Sequence, residues 1–125
     1  MKQPGVGVEN PRQVAPYQYS KRFGPLPPAF ARATVLNAHD VLPGRILVGG
    51  TASVRGEDSV HVGDLAQQLD ETFLNLAALV SGATAQINGN GAGNRAALSH
   101  YRELRAYVPD ETNFDPVIAA VASRF

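Results

Sequence analysis

Hydrophobic and polar positions alternate along two short stretches in the first half of the chain. Over residues 30–36 every second side chain falls on the same side, which is the pattern of a β-strand. A second strand is predicted for residues 45–54, with the apolar run 46–48 at its centre and paired glycines after it. Turn-forming residues at 37–44 separate the two stretches. The first half therefore predicts two neighbouring strands.

The clearest helical pattern begins at Asp64. The Asp64 carboxylate can accept from free N–H groups at a helix start, and Gln67 three residues later completes a capping box. Apolar residues then recur at every third or fourth position over residues 65–80, which places them on one face of a helix. Gly82 is expected to end this helix in a left-handed cap.

The last third of the chain carries a further strand pattern and a second helix. Residues 101–108 alternate well enough to predict a strand. Asp115 is the expected N-cap of the second helix, with Pro116 at its first helical position. The glycine-rich stretch 88–94 lacks the Gly-Lys-Ser/Thr of a phosphate loop and favours a plain insertion. The element order β-β-α-β-α indicates an α+β fold, with a sheet covered by two helices on one face.

Residues 1–28 differ in composition from the rest. They hold six of the nine prolines, which removes backbone donors and disfavours a regular helix. We expect a proline-rich N-terminal arm over 1–28 and a single folded domain over 29–125. Tyr17, Tyr19 and Phe23 give the arm apolar surface to bury, so it is expected to pack against the domain.

Composition excludes several classes of protein. The chain has 125 residues and a formal net charge of zero, so it lacks the excess of cations that nucleic-acid binding or a membrane surface requires. The absence of cysteine excludes disulfides and thiolate catalysis. No signal peptide and no apolar run of about 18 residues is visible, which favours a cytoplasmic protein with no membrane contact.

Metal and nucleophile chemistry have little support in the sequence. The three histidines are far apart and show no close ligand spacing, so neither a metal site nor a cofactor is expected. Ser53 or Ser59 could be combined with His61 and Asp64 into a triad, but no nucleophile-elbow motif accompanies them. Loop structure and helix capping explain His61 and Asp64 better, and the catalytic residue stays unassigned.

Acidic and basic side chains give stronger candidates for a functional site. Asp70 and Glu71 could exchange protons if one were buried, although the pattern places Glu71 at best on the edge of the buried face. Arg102 and Arg105 could bind a carboxylate through a guanidinium fork or pair with acids at the surface. Arg32 is the more unusual cation because it lies among apolar residues on the first predicted strand.

The stretch after the second predicted strand resembles the central motif of the chorismatase family, in the half of those proteins that has a Rid (YjgF-like) fold. Parts of the arm, residues 30–34 and residues 104–108 also resemble the segments around that motif. The residues that carry the motif are Gly50-Thr51-Ala52-Ser53, Gly56, His61-Val62-Gly63-Asp64, Gln68, Glu71-Thr72 and Asn75-Leu76.

The resemblance implies a Rid-like α+β fold that packs as a trimer, with the ligand in clefts between barrel-like units. Chorismatases hydrolyse the enol ether of chorismate, releasing pyruvate and a dihydroxycyclohexadiene acid or a hydroxybenzoate. Their acid glutamate lies on strands that follow the second helix. The chain is expected to lack those closing strands, and an exposed sheet edge then demands pairing in a homo-oligomer or with a partner chain.

A pocket for a small carboxylate is the resulting expectation. The resemblance aligns Phe30 and Arg32 with pocket positions of Rid deaminases. A Rid-type imine/enamine deaminase is one alternative function, and a catalytically silent binding or assembly protein is another. The residues predicted to line the pocket are Phe30, Arg32, Gly50, Thr51, Ala52, Ser53, Arg105 and Tyr107.

Overall fold

The computed structural model describes residues 5–36, 44–88 and 97–125. The predicted turn at 37–43 and residues 89–94 of the predicted insertion lie outside the described residues. The elements are the strands β1 (Val6–Val8), β2 (Ala33–Leu36), β3 (Arg45–Val48), β4 (Val54–Arg55) and β5 (Asp58–Ser59), and the helices α1 (Leu65–Asn88) and α2 (Phe114–Arg124).

The first three strands form one antiparallel sheet in the order β1-β2-β3, and β4 and β5 form a separate hairpin. The arm supplies β1, which pairs Val8 with Ala33 of β2. The sequence predicts an extended arm but not its place in the sheet. On the other side, β2 pairs Ala33 with Val48 of β3. The arm is therefore part of the sheet rather than an addition to it.

Both predicted strands of the first half are shorter than expected. The first begins at Ala33, and the second ends at Val48 because the chain turns at the two glycines. A Cβ added at Gly49 would lie 3.0 Å from the carbonyl oxygen of Ala31, so the backbones approach closely there. Gly50 has φ +120°, a value that side-chain-bearing residues rarely adopt, and it directs the chain out of the sheet.

The predicted strand at 101–108 is wrong for this structure. The N–H of Tyr101 donates to the carbonyl of Leu98 at the end of a helical turn. From residue 102 to residue 108, no backbone group forms a hydrogen bond with another backbone group of the described chain. The alternating pattern is present, but a strand is defined by its neighbour, and this segment has none.

The predicted N-cap at Asp64 is confirmed, but the reciprocal half of the capping box is not formed, because the N–H of Asp64 donates to the carbonyl of His61 and not to the Gln67 side chain. Asp64 accepts hydrogen bonds from the N–H of Gln67 at 3.0 Å and from its side-chain amide at 2.7 Å. The predicted end at Gly82 is wrong, because α1 continues to Asn88. A Cβ added at Gly82 would lie 3.4 Å from the Val8 side chain, so this glycine lets β1 pack closely against the helix.

The second helix begins one residue before the predicted N-cap. Phe114 opens α2 and Asn113 is its N-cap, so the assignment of Asp115 as the cap is wrong. A capping aspartate is present slightly earlier: Asp110 accepts from the N–H of Thr112 and caps a short 3₁₀ turn that leads into α2. The capping aspartate of this region is therefore Asp110 and not Asp115.

Apolar residues of α1 form the core together with the sheet. Leu79 is fully buried against β1 and β2, and Phe73 is buried and meets Phe125 of the chain end with ring centres 5.5 Å apart. The arrangement is α+β, as predicted. No helix among the described residues is long and apolar enough to cross a membrane. The buried apolar side chains are Val8, Ala33, Val35, Phe73, Leu76, Ala77, Leu79, Val80, Ala83, Ala97, Leu98 and Val117.

Replacement of Leu79 by alanine tests this core. The side chain is 0% exposed, and we expect Leu79→Ala to lower the free energy of unfolding by about 2–5 kcal/mol because a cavity remains. The matched control is Val62→Ala, since Val62 is 83% exposed and should change that free energy by less than about 0.5 kcal/mol. Urea unfolding of the three proteins measures both, and equal losses would contradict the core assignment.

Candidate functional site

The loop that follows β3 leads from the sheet into the β4–β5 hairpin, and it is held by hydrogen bonds along its length. The hydroxyl of Ser53 donates to the carbonyl of Val60 at 2.8 Å, and the N–H of Val60 donates back to the carbonyl of Ser53 at 2.9 Å. The N–H of Val54 donates to the carbonyl of Ala52 at 2.8 Å. The loop therefore has a defined shape without regular secondary structure.

The side chain of Asn75 in α1 holds this loop in place. Its side chain is 0% exposed, and its amide nitrogen donates to the carbonyl of Ala52 at 3.0 Å and to that of Val54 at 2.8 Å. Its oxygen accepts from the side-chain amide of Asn10 in the arm at 3.0 Å. A buried amide with this many partners specifies one arrangement of the three segments that it joins.

Two arm residues complete what we call the amide network, made of Asn10, Gln13 and Asn75. Asn10 donates to the side-chain oxygen of Gln13 at 3.2 Å. The Gln13 amide donates to the carbonyl of Val54 at 3.1 Å and reaches the hydroxyl of Thr51 at 3.4 Å.

The sequence predicts that the arm packs through Tyr17, Tyr19 and Phe23, but Tyr17 and Phe23 are exposed, and these polar contacts of the arm are not predicted. The available signal was the set of polar side chains around Pro11, in the part of the arm that resembles chorismatases. Helix and strand periodicity assigns no role to such residues.

Glu71 lies one turn before Asn75 and is almost completely buried, with 2% of its side chain exposed. Arg55 and Arg12 each donate to one of its oxygens, at 2.6 and 2.5 Å, and a ring nitrogen of His61 lies 3.7 Å away. The Arg55 hydrogen bond, assisted by Arg12 and opposed by burial, lowers the pKa of Glu71 below its ordinary value. The expectation that Glu71 lies on an edge of the buried face is wrong, and its carboxylate is held ionised.

A broad concavity lies beside the loop. It is bounded by β3, by the loop, by one face of α1 and by residues 100–109, with a volume of about 1740 Å³. Of the predicted pocket residues, the structure brings Gly50, Thr51, Ala52, Ser53, Arg105 and Tyr107 to its wall.

Phe30 and Arg32 do not line the concavity. Arg32 is buried and donates to the carbonyl of Val14 at 2.7 Å and to the hydroxyl of Tyr19 at 2.8 Å. Its ε nitrogen lies 3.8 Å from a carboxylate oxygen of Glu9, and neither atom has a hydrogen-bond partner within the described chain. Arg32 thus fastens the arm, with Phe30 and Tyr19 ring centres each 5.8 Å from its guanidinium.

Arg105 and Tyr107 lie on the segment 102–108, which lines the same concavity as the loop. Arg105 is exposed and donates to Glu103 two residues away at 3.0 Å. This is the surface ion pair that the sequence offered as an alternative to carboxylate binding. An exposed pair of this kind is worth little, so the guanidinium is easily redirected to another anion.

No hydrolytic triad is assembled in the described structure. Ser53 donates to a backbone carbonyl, Asp64 caps α1, and the acid nearest His61 among these residues is Glu71. The described residues also contain no group of three or more acids and histidines that could hold a metal ion. The capping role expected for Asp64 accounts for its contacts, and the Ser53 hydroxyl serves the shape of the loop.

Comparison with known proteins gives related sequences and a related structure, while no protein-family model matches the chain. A 3-hydroxybenzoate synthase of Streptomyces hygroscopicus is 43% identical over 82% of this chain and 30% of its own length. A chorismatase of Streptomyces rapamycinicus is 32% identical over 95% of this chain and 35% of its own length. A chorismatase crystal structure at 1.08 Å resolution matches with a TM-score of 0.82 at 30% identity, over 98% of this chain and 36% of that one.

The sequence comparisons and the structure comparison point to the same family. The chain belongs to the chorismatase family, and it spans about a third of the length of the relatives that it matches. The predicted resemblance to chorismatases is thereby confirmed.

The buried carboxylate gives a prediction with a defined pH dependence. Glu71→Gln removes the charge that both arginines face, and we expect a loss of about 2 kcal/mol in the free energy of unfolding at neutral pH. Because the pKa of Glu71 is lower in the folded protein, its contribution is complete above the unfolded value of about 4.3 and is lost as pH falls through the folded value. The difference between variant and parent should therefore shrink in acid.

Asp70→Asn is the matched control, because Asp70 is the neighbouring acid and is exposed, with a surface ion pair to Arg124. It should change the free energy of unfolding by less than about 0.5 kcal/mol. Urea unfolding across the acid range measures both variants. A Glu71→Gln protein as stable as Asp70→Asn at neutral pH would contradict the role given to Glu71.

Proposed function

We propose that the chain forms the part of a chorismatase that binds a small carboxylate such as chorismate. The observation that carries this is the 43% identity to a 3-hydroxybenzoate synthase over most of the chain. In this proposal the completed site hydrolyses the enol ether to pyruvate and a cyclohexadiene or hydroxybenzoate acid. Formation of the cyclohexadiene acid and pyruvate consumes one water, whereas the hydroxybenzoate and pyruvate together contain only the atoms of chorismate, so that product forms with no net consumption of water.

The geometry supports anion binding at the mouth of the concavity. Thr51, Ser53 and Arg105 all line the concavity. Because the Ser53 hydroxyl already donates to the carbonyl of Val60, the proposal assigns hydroxyl donation to the ligand to Thr51. Arg105 is tied only to an exposed neighbour, so a carboxylate can replace Glu103 at its guanidinium with a pair of parallel hydrogen bonds. In the proposal the backbone of Gly50 and Ala52 lies beside the ligand, and Tyr107 covers the ligand.

The proton for the enol ether has no assigned source. Glu71 is ionised and is held by two arginines, so it does not serve as the acid. Among the acids of the described residues, Glu103 lines the concavity, and it is exposed and paired with Arg105. The proposal therefore assigns ligand binding to this chain and leaves the catalytic residue open.

Finer features of the family also enter as proposals. We propose a Rid-like sheet, supported by the antiparallel order β1-β2-β3 under helix α1. A cytoplasmic location is proposed from the absence of targeting patterns in the printed sequence. A homo-oligomer, or a partner chain that supplies strands, is proposed from the free sheet edge. Phe30 and Arg32 act in the proposal through the arm and not by touching the ligand.

Calorimetric titration with chorismate and an assay of pyruvate release test the proposal. We expect binding to the parent protein, and Arg105→Ala should weaken it by about tenfold, since a charged hydrogen-bond pair is lost. Arg124→Ala is the matched control, because Arg124 is an exposed arginine paired with Asp70 and does not line the concavity. Its affinity for chorismate should equal that of the parent.

The outcomes separate the candidate functions. Binding with pyruvate release supports a working chorismatase site, and binding alone indicates a silent binding protein. Ammonia released from an amino-acid-derived imine would indicate the Rid-type deaminase. Absence of chorismate binding, or equal binding by the Arg105→Ala and Arg124→Ala proteins, would contradict the proposed ligand site.

A further inference from the structure

The hydroxyl of Thr51 accepts a hydrogen bond from the arm. The side-chain amide nitrogen of Gln13 lies 3.4 Å from the Thr51 oxygen. An amide nitrogen can only donate, so the Thr51 oxygen is the acceptor and its own proton stays free. No group among the described residues accepts a hydrogen bond from that proton. Thr51 lines the concavity, so a hydroxyl with an unused proton belongs to the candidate ligand site.

The direction of this hydrogen bond depends on which way the Gln13 amide is turned. A reversed amide would present its oxygen to Thr51, and the hydroxyl would then donate to Gln13. The Gln13 nitrogen also donates to the carbonyl of Val54 at 3.1 Å, and a backbone carbonyl can only accept. Reversal would place two acceptors against each other there. Val54 therefore favours the orientation that leaves the Thr51 proton free.

The oxygen end of the Gln13 amide is also held in place. It accepts from the side-chain amide nitrogen of Asn10 at 3.2 Å, and the same nitrogen donates to Asn75 at 3.0 Å. The side-chain oxygen of Asn10 accepts from the backbone N–H of Arg12 at 2.9 Å. Because a backbone N–H can only donate, this contact fixes the orientation of Asn10 and, through it, that of Gln13.

Asn75 gives the amide network its direction at the other end. Its oxygen accepts from the side-chain ε nitrogen of Arg12 at 3.3 Å, and a guanidinium group can only donate. Its nitrogen donates to two backbone carbonyls. All three amides are buried, so reversing one of them would leave buried donors and acceptors unpaired at a cost in free energy. The network therefore has one direction, and it ends at the hydroxyl of Thr51.

We infer that Gln13 is a positioning residue that fixes the polarity of the Thr51 hydroxyl, so that Thr51 donates to the ligand and the site selects a group that accepts. The inference rests on the proposed function, which places a carboxylate such as chorismate in the concavity. A carboxylate oxygen accepts such a bond strongly because it is charged. An ammonium group has no lone pair and cannot take this position.

This role reaches the ligand from a residue that does not touch it. Gln13 is not among the described residues that line the concavity. Its amide acts by occupying the acceptor side of Thr51 before a ligand arrives. Since the hydroxyl is already oriented as a donor, it does not have to be reoriented on binding, and such preorganisation favours affinity.

Nuclear magnetic resonance of the Gln13 side-chain amide tests the polarity without a ligand. Thr51→Val removes the acceptor, so one of the two Gln13 amide proton signals should move upfield. Thr51→Ser is the control, because it keeps the hydroxyl and should leave both signals near their positions in the parent protein. If the hydroxyl donated to Gln13 instead, neither amide proton would lose a partner in Thr51→Val.

Calorimetric titration with chorismate tests the effect on the ligand. Thr51→Val should weaken binding by about tenfold, since a hydrogen bond to a charged acceptor is lost, and Thr51→Ser should bind like the parent. Gln13→Glu keeps the side-chain size but presents an oxygen to Thr51, whose proton then turns away from the ligand. We expect about tenfold weaker binding here as well. Gln18→Glu is the control for charge, because Gln18 is an exposed glutamine of the arm.

The double variant Gln13→Glu/Thr51→Val separates positioning from a general structural role. Without the hydroxyl there is no polarity to set, so the double variant should bind chorismate as strongly as Thr51→Val alone. A purely structural role of Gln13 would instead weaken binding by the same factor in both backgrounds, because independent effects add.

The outcomes distinguish this inference from the proposed function. Gln13 amide signals that do not respond to Thr51→Val would overturn the inference, and so would equal effects of Gln13→Glu in both backgrounds. A parent protein that does not bind chorismate, while its amide signals respond, would overturn the proposed function and support the inferred polarity. If Gln13→Glu fails to fold, equal affinities of Thr51→Val and Thr51→Ser for chorismate would overturn the inference.

Discussion

The rest of the structure depends on the buried side-chain amide of Asn75. It donates to the carbonyls of Ala52 in the loop after β3 and of Val54 at the start of β4, and it accepts from the Asn10 and Arg12 side chains of the arm. It thus joins three segments that lie far apart in the sequence. An unpaired amide in this position would cost free energy, which makes the arrangement all or none. Asn75 therefore links α1 to both the loop and the arm, and the arm is also joined to the β4–β5 hairpin by backbone hydrogen bonds from Gly56 to Arg12 and from Val14 to Gly56. These contacts together place the hydroxyls of Thr51 and Ser53.

Glu71, one turn earlier on α1, holds the arm and the hairpin through ion pairs. Its carboxylate holds Arg12 of the arm and Arg55 of the hairpin, so the same helix face fastens both segments a second time. This use of an acid explains why a buried glutamate close to the candidate site is not a proton donor. Asn75 and Glu71 both belong to the motif that resembles the chorismatase family, and the contacts that they make in this structure hold the fold together.

Sequence reasoning succeeded where the signal is local. The N-cap at Asp64, the apolar face of α1 and the α+β class follow from spacing and propensity, and the resemblance to the family follows from short motifs that match in order. Sequence reasoning failed where pairing with a distant segment decides the structure. β1 exists because β2 pairs with it, and residues 101–108 are not a strand because no described segment of the chain pairs with them. Burial of Glu71 and Arg32 was also missed, since periodicity cannot foresee that distant arginines, carbonyls and a tyrosine would satisfy them.

Hydrogen exchange in an Asn75→Ala variant tests the central claim most directly. The N–H groups of Val54 and Val60 bond within the loop that Asn75 supports. The account predicts that their exchange becomes markedly faster in the variant, while the N–H of Val35 in the central strand β2 exchanges as slowly as in the parent. Unchanged exchange at Val54 and Val60, or an equal acceleration at all three positions, would contradict it.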